Sequence, residues 1–233
     1  MSVVGSRCDR PQLKHLRTVR NNQSHLGVIR SSNLCTEIVQ HASVDETAVC
    51  TLASVAVARF VGPDRSYDFA SLHTAVRVAV SCLDALLDQN TYPTEACRRS
   101  AHGTRALGIG VQGLADVFMA SGVPFHSTAA RELNREIFET IYHAAYDTSC
   151  DLARVHGSYP AYAGSPASRG ILQHDMWPEV VLSGRYDFAA LRKRIQAHGL
   201  RNSMLTAQMP TASTAKILGN CDGAEPYTRS VAS

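Results

Sequence analysis

Apolar residues recur at three- and four-residue intervals in two long stretches of the chain. Phe69, Leu72, Val76, Val80, Leu83 and Leu87 form the first, the stripe of an amphipathic helix with Asp68 as its N-cap and Asn90 and Pro93 as its stop. Cys82 belongs to its packing. The second runs from Ser127 to His156, with Leu133, Ile137, Ile141, Ala144, Ala145, Thr148 and Leu152 on one face and Gly157 ending it. His143 and Cys150 on that helix read as packing residues. A shorter helix spans Leu191 to His198 and is closed by Gly199.

Between these stretches the pattern changes. The run Thr47 to Val57 is short, β-branched and apolar, consistent with a buried strand, although periodicity alone does not separate that from a buried helix. Further strands are expected near Val180 to Leu182 and Ser203 to Gln208. A polar, Arg-rich connection is expected from Pro93 to His102-Gly103, and a long surface loop from Gly157 to Gly170, rich in Gly, Pro, Ser and Tyr. Helices alternating with short apolar runs point to an α/β layer or barrel.

Composition bounds the function classes. The chain has 233 residues, 45% hydrophobic and 18% charged, enough for one large domain or part of one. Twenty-three basic against 20 acidic residues leave a net charge of +3, too little for a nucleic-acid reading from charge alone. The uncharged runs fall short of the roughly 20 apolar residues that a membrane helix needs, so no membrane span is expected. Residues 1–25 read as a basic arm with Arg7, Arg10, Lys14, Arg17 and Arg20 and no apolar segment behind them, which argues against a secretory signal. Seven widely spaced cysteines without C-x-x-C exclude the usual zinc patterns; no metal ligands are expected, and the thiols fit a reduced, cytoplasmic protein.

Chemistry concentrates in Ser32-Asn33-Leu34-Cys35-Thr36-Glu37-Ile38, followed fifteen residues after Cys35 by Cys50. In an extended segment Asn33, Cys35 and Glu37 would face the same way. A neighbouring carboxylate raises a thiol pKa, so Glu37 argues against a thiolate nucleophile at Cys35. A neutral thiol or thiyl radical meets no such objection, and the carboxylate can then act as base toward a substrate hydroxyl. The plain alternative is a small buried hydrophobe beside a surface charge. Met209-Pro-Thr-Ala-Ser-Thr-Ala215 has Pro at a helix's first turn with hydroxyl residues around it, an arrangement that leaves oriented N–H groups for a phosphate or serves simply as a cap. Gly108-Ile-Gly110-Val-Gln-Gly113 satisfies G-x-G-x-x-G. It lacks the preceding strand and the acidic residue about 20 positions on that a dinucleotide site requires, so its glycines are expected to permit close helix packing.

Asn33-Leu-Cys-Thr-Glu-Ile38 with Ala48-Val-Cys-Thr-Leu-Ala-Ser54 resembles the active-site region of the large, catalytic subunits of class I ribonucleotide reductases. Gly108 to Asp116, Ile137 to Tyr142, Gly164 to Gln173 with Asp175-Met-Trp177, Arg201-Asn202, Met209 to Ala215 and Glu225-Pro-Tyr-Thr228 resemble segments of that family in the same order. The resemblance covers residues 26–228, and residues 229–233 diverge from it. It implies part of a ten-stranded α/β barrel with the Cys35 segment on a finger loop at its centre.

The resemblance further implies a ribonucleoside-diphosphate reductase. Cys35 would become a thiyl radical generated by a separate metal-containing small subunit, Glu37 would be the base, Asn33 would bind the sugar hydroxyls and Cys50 would be one of a redox thiol pair. Pro210, Thr211, Ala212, Ser213 and Thr214 would hold the substrate's diphosphate. No cofactor is expected in this chain itself. Family members are homodimeric in this subunit, are re-reduced by thioredoxin or glutaredoxin, and bind ATP and deoxynucleotide effectors elsewhere. The partner thiol of Cys50, the relay tyrosines and the tail cysteines would lie outside this stretch, so the isolated chain is expected to be incomplete for activity and to leave strand edges unpaired. Thr51 and Asn220-Cys221-Asp222-Gly223 depart from the family pattern. Two other readings stand beside this one: a non-catalytic interaction protein of the same fold, and the dinucleotide oxidoreductase already disfavoured.

Overall fold

A computed structural model describes residues 25–177 and 179–227. The expected basic arm to residue 24, and the divergent residues 229–233, lie outside them. Among the described residues two strands and six helices follow in the order β1 (Leu52–Ala56), α1 (Phe69–Gln89), α2 (Glu95–Thr104), β2 (Gly108–Gln112), α3 (Leu114–Ser121), α4 (Thr128–His156), α5 (Phe188–His198) and α6 (Ala212–Leu218). Short 3-10 turns fill much of the connections, including Val57–Phe60 after β1.

β1 and β2 pair in parallel, Leu52 opposite Gly108 through Ala56 opposite Gln112. Parallel neighbours need a long crossover, and here α1 and α2 supply it. The expected strand at Ser203 to Gln208 forms only in part: this segment lies along the other edge of β2, with Ile109 N–H donating to the Leu205 carbonyl at 2.9 Å and Ala207 N–H to the Ile109 carbonyl at 3.1 Å. It makes one parallel bridge, Ile109 to Thr206. No strand forms at Val180 to Leu182, where Val181 is exposed and the chain is held instead by Ser183 on the Glu139 carboxylate. A closed barrel is therefore absent among the described residues, and the arrangement is mixed α/β and mostly helical.

The glycines of β2 have a different task from the expected helix packing. A Cβ on Gly108 would come within 2.8 Å of the Ala207 Cβ, and one on Gly110 within 2.5 Å of the Ala207 carbonyl oxygen and 2.6 Å of the Met209 sulfur. They let the 205–209 segment lie flat against the strand. The motif is thus itself a strand, which removes the dinucleotide reading. Gly110→Ala is expected to cost about 1–3 kcal/mol through displacement of that segment, measurable as a lowered urea midpoint; an unchanged midpoint would mean that the segment yields freely.

Helices α1 and α4 form the core as their apolar spacing predicts. Leu72, Val76, Val80, Leu83 and Leu87 are buried in one cluster with Ile137, Ile141, Ala144 and Ala145. Asp68 caps α1 by accepting the Ser71 N–H, Ser127 caps α4 by accepting that of Ala130, and Asn90 and Gly157 follow their last residues. α1 is long and apolar enough to cross a membrane by length and composition. Its apolar stripe faces α4, however, and Arg77 pairs with Asp147 and Asp151, which Arg194 of α5 also engages. The expected Arg-rich connection contains α2 instead: Thr94 accepts the Cys97 N–H as N-cap, and Cys97, Ser100 and Ala101 are buried. Helix α5 begins three residues earlier than expected, at Phe188 behind the Asp187 cap.

Where α1, α4 and α5 meet, His73 and His143 face each other at 3.1 Å between ring nitrogens. His143 also stacks on Tyr186 at 4.4 Å. Burial, then the His73 neighbour, push the His143 pKa down to about 4, against an opposing pull from Asp147. The unfolded imidazole takes a proton below about 6.5, whereas the folded one stays neutral until about 4. Stability is therefore lost as pH falls through that window. The melting temperature is expected to drop between pH 7 and 4.5, with a shallower slope in His143→Gln; equal slopes would contradict the assignment.

Candidate active site

The segment carrying Cys35 is a tight turn, which corrects the expectation of an extended run. Thr36 adopts a φ of 65°, Asn33 N–H donates to the Ile38 carbonyl at 3.4 Å, and Thr36 N–H donates to the Asn33 carbonyl at 3.2 Å. The Asn33 side chain completes the closure, its Oδ1 accepting the Ile38 N–H at 3.1 Å. A short amide side chain that bonds nearby backbone competes with strand formation, and here it wins. Leu34 and Cys35 form the exposed tip, with Asn33 and Glu37 half-buried on the two flanks. With Oδ1 engaged in the turn, Asn33 has its two N–H hydrogens to offer a ligand.

Glu37 holds the unsatisfied group of the site. Its Oε2 is buried with no hydrogen-bond partner, a state that costs about 1–3 kcal/mol and that a hydroxyl donor would relieve. Glu37 also acts on Cys50: partial burial, then the Glu37 charge, raise the Cys50 thiol above its ordinary value. The two residues are thirteen apart in sequence and belong to one neighbourhood in space. Cys50 lies two residues before β1, on an exposed approach to it rather than in a buried strand. Removing the charge should lower the thiol pKa and enlarge the thiolate fraction. Glu37→Gln is expected to speed iodoacetamide labelling of Cys50 at pH 8 by about two- to fivefold; an unchanged rate would separate the two groups.

A small apolar cluster explains how distant segments come together. Ile38, Ala207 and Met209 are buried against one another, with Leu52 packed on them. Ile38 directly follows Glu37, Leu52 follows Cys50 by two positions, and Met209 directly precedes Pro210. The cysteine turn, the second cysteine and the hydroxyl-rich segment are thus anchored on a common apolar base.

In the third segment, helix α6 starts later than expected. Thr211 is the N-cap and Pro210 precedes it, so Pro210 shapes the entry to the helix and is not in its first turn. The first intrahelical bond runs from Ala215 N–H to the Thr211 carbonyl at 2.7 Å, which leaves the N–H groups of Ala212, Ser213 and Thr214 without a helical acceptor. These three residues are exposed, and Thr211 is buried.

Residues that the sequence did not single out complete the frame. Gln112, fully buried on β2, donates to Ser54 Oγ of β1 at 2.9 Å and accepts from Asn220 Nδ2 at 3.4 Å. Asp116, in the first turn of α3, accepts the Cys221 N–H at 2.7 Å and the Tyr227 hydroxyl at 2.6 Å. Asp222 accepts from Thr211. A polar residue amid the apolar β2 was the available signal for Gln112; Asp116, acting on residues more than 100 positions away, left none. The six described cysteines are free thiols, and Cys82, expected in the packing of its helix, is instead exposed on the face of α1 away from the Leu72–Leu87 stripe. Among the described residues no group of three or more His, Cys, Asp or Glu is placed to hold a metal ion.

Comparison with known proteins meets this geometry from another direction. Residues 15–233 match the family model for the ribonucleotide reductase barrel domain. The chain is 53% identical over 209 residues to a ribonucleoside-diphosphate reductase large chain of Schizosaccharomyces pombe, covering 90% of this chain and 26% of that protein. It is 51% identical over 212 residues to the corresponding large subunit of Caenorhabditis elegans, covering 91% and 27%. It is 50% identical over 212 residues to that of Danio rerio, with the same coverage. The chain spans about a quarter of the length of these relatives. On this evidence it belongs to the ribonucleotide reductase barrel-domain family.

Proposed function

We propose that this chain is the catalytic segment of a ribonucleoside-diphosphate reductase large subunit, within a ten-stranded barrel whose remaining strands come from outside the described residues. The Ile38, Leu52, Ala207 and Met209 cluster carries this reading, because it ties Asn33, Cys35, Glu37, Cys50 and the 210–214 segment to one base. A radical supplied by a separate, metal-containing small subunit oxidises Cys35 to a thiyl. The thiyl takes the hydrogen atom from the ribose 3′ carbon, and the Glu37 carboxylate takes the 3′-hydroxyl proton. Its bare, buried oxygen is suited to that task. Asn33 donates its amide hydrogens to the sugar hydroxyls.

The 2′-hydroxyl then leaves as water. Cys50 and a second thiol from another part of the subunit supply two electrons and two protons and join as a disulfide, and Cys35 returns its hydrogen to the 3′ carbon. The elevated Cys50 pKa keeps that thiol protonated and able to deliver hydrogen. The N–H groups of Ala212, Ser213 and Thr214 hold the diphosphate, with Pro210 and Thr211 setting their position. Thioredoxin or glutaredoxin reopens the disulfide, the subunit acts as a homodimer in the cytoplasm, and ATP or deoxynucleotide effectors bind elsewhere in it.

The substrate half of this reading is tested by calorimetry on the chain. ADP is expected to bind more tightly than adenosine, because the 212–214 amides recognise phosphate. It should also bind more tightly than 2′,3′-dideoxy-ADP, because Asn33 and Glu37 recognise the hydroxyls. Equal affinity for all three would overturn it.

A further inference from the structure

We propose that His73 and His143 form a two-imidazole site for a divalent transition metal of the nickel, copper or zinc class, which clamps α1 to α4. The inference is independent of the reductase reading.

The two side chains come from different helices, 70 residues apart, and turn a ring nitrogen toward each other: His73 Nε2 and His143 Nδ1 stand 3.1 Å apart. Nitrogens bound at about 2.0–2.1 Å to one metal are separated by about 3 Å at a right angle and about 3.4 Å at the tetrahedral angle, so the observed gap already falls within a metal's bite. The ring planes are held by their neighbours. Tyr186 stacks on His73 at 5.5 Å and on His143 at 4.4 Å, and Phe188 meets His143 edge-on at 5.3 Å. The Tyr186 hydroxyl donates to Thr140 Oγ1 at 3.1 Å, which makes Tyr186 a support for the ligands and not one of them.

The pair is ready to ligate at neutral pH. A metal takes only neutral imidazole, and burial lowers the pKa of His73 and takes that of His143 down to about 4. In the hydrogen-bonded pair one N–H lies between the rings. Moving that proton to the outer nitrogen of the same ring, a change of tautomer, opens both lone pairs and releases no proton. The charges around the pair offset one another. Asp147, one turn along α4 from His143, pairs with Arg77 of α1 and Arg194 of α5, and the same two arginines reach Asp151 at 2.9 and 2.7 Å. No third His, Cys, Asp or Glu among the described residues joins the two rings, so water completes the shell from the open side of the half-buried pair. Imidazole donors select nickel, copper or zinc over magnesium and calcium, which take oxygen.

The test is calorimetry and thermal melting of the full chain with nickel(II), chosen because the exposed thiols of Cys35, Cys50 and Cys82 favour softer ions. Wild type is expected to bind nickel(II) and to melt at a higher temperature in its presence, with magnesium without effect. His73→Gln and His143→Gln should each weaken nickel(II) by at least the roughly ten- to hundredfold that loss of a mere supporting contact costs a metal site. The double variant should be no weaker than either single one, and none of the three should gain thermal stability from the ion. Melting in a chelator shows which variants are folded. Nickel(II) affinity in either folded variant equal to that of wild type would overturn the proposal, by placing the ion on exposed thiols or other imidazoles. Should a variant fail to fold, wild type decides alone, and a melting temperature that nickel(II) leaves unchanged would overturn the clamp.

Discussion

Exchanged into a full-length large subunit of one of its relatives, this segment with Cys35→Ser is expected to bind ribonucleoside diphosphate normally and to form no deoxynucleotide above background. Serine keeps the size and polarity of the side chain, and Cys35 sits at the exposed tip of its turn, so neither the closure by Asn33 nor the Ile38 anchor depends on the sulfur. What is lost is chemistry. An S–H bond is weak enough to exchange a hydrogen atom reversibly with a ribose carbon, and an alcohol O–H is not. Deoxynucleotide formation by the serine variant would sink the role given to Cys35. A loss of nucleotide binding would show that the thiol is a structural part of the turn.

The second large effect concerns stability. Arg105 adopts a left-handed conformation, φ 46°, as the C-cap of α2, and is buried with Asp84. Its Nε and Nη2 donate to Asp84 Oδ1 at 3.0 and 2.9 Å, and its Nη1 to Asp88 at 2.6 Å. Asn202 Nδ2 also donates to Asp84 Oδ1, at 2.8 Å, while Ser149 Oγ donates to Asn202 Oδ1 at 2.9 Å. One buried carboxylate thus joins α1, α2, α4 and the segment that leads to residue 209. Arg105→Met would leave buried Asp84 with only the longer cationic contact from Arg201 Nε at 3.5 Å, and is expected to cost about 3 kcal/mol. The double variant Asp84→Asn/Arg105→Met should recover part of this, since no uncompensated charge then remains. Chemical denaturation checks both. A loss below about 1 kcal/mol in Arg105→Met would place the pair among interactions worth no more than a surface salt bridge.

The parts of the fold legible in the sequence are those where one side chain acts on its own element. Asp68 and Ser127 cap the helices that follow them, and the apolar stripe of α1 meets that of α4. Helix α2 was hidden because its buried face consists of Cys97, Ser100 and Ala101 among arginines, too small and polar to register as a stripe. The segment at 203–208 was recognised as extended, but its single bridge to β2 depends on Gly108 and Gly110, whose role follows from what lies across them in space.

The site divides in the same way. Cys35, Glu37, Asn33 and Cys50 could be singled out as candidates by residue type and by resemblance. Their arrangement was not, because it is set by the Asn33 turn and by an apolar cluster drawn from three parts of the chain. Asp222 appeared in the sequence only as a departure from the family pattern, yet in space it holds both donors of Thr211.

The most direct measurement of the central claim is a single turnover by the exchanged, full-length subunit, reduced beforehand and supplied with its small subunit and a ribonucleoside diphosphate but no external reductant. Deoxynucleotide should appear in step with the loss of the Cys50 thiol, followed by alkylation and peptide mapping. Product without oxidation of Cys50, or no product from a folded subunit that binds its nucleotide, would contradict the assignment of Asn33, Cys35, Glu37 and Cys50 to one reductive site.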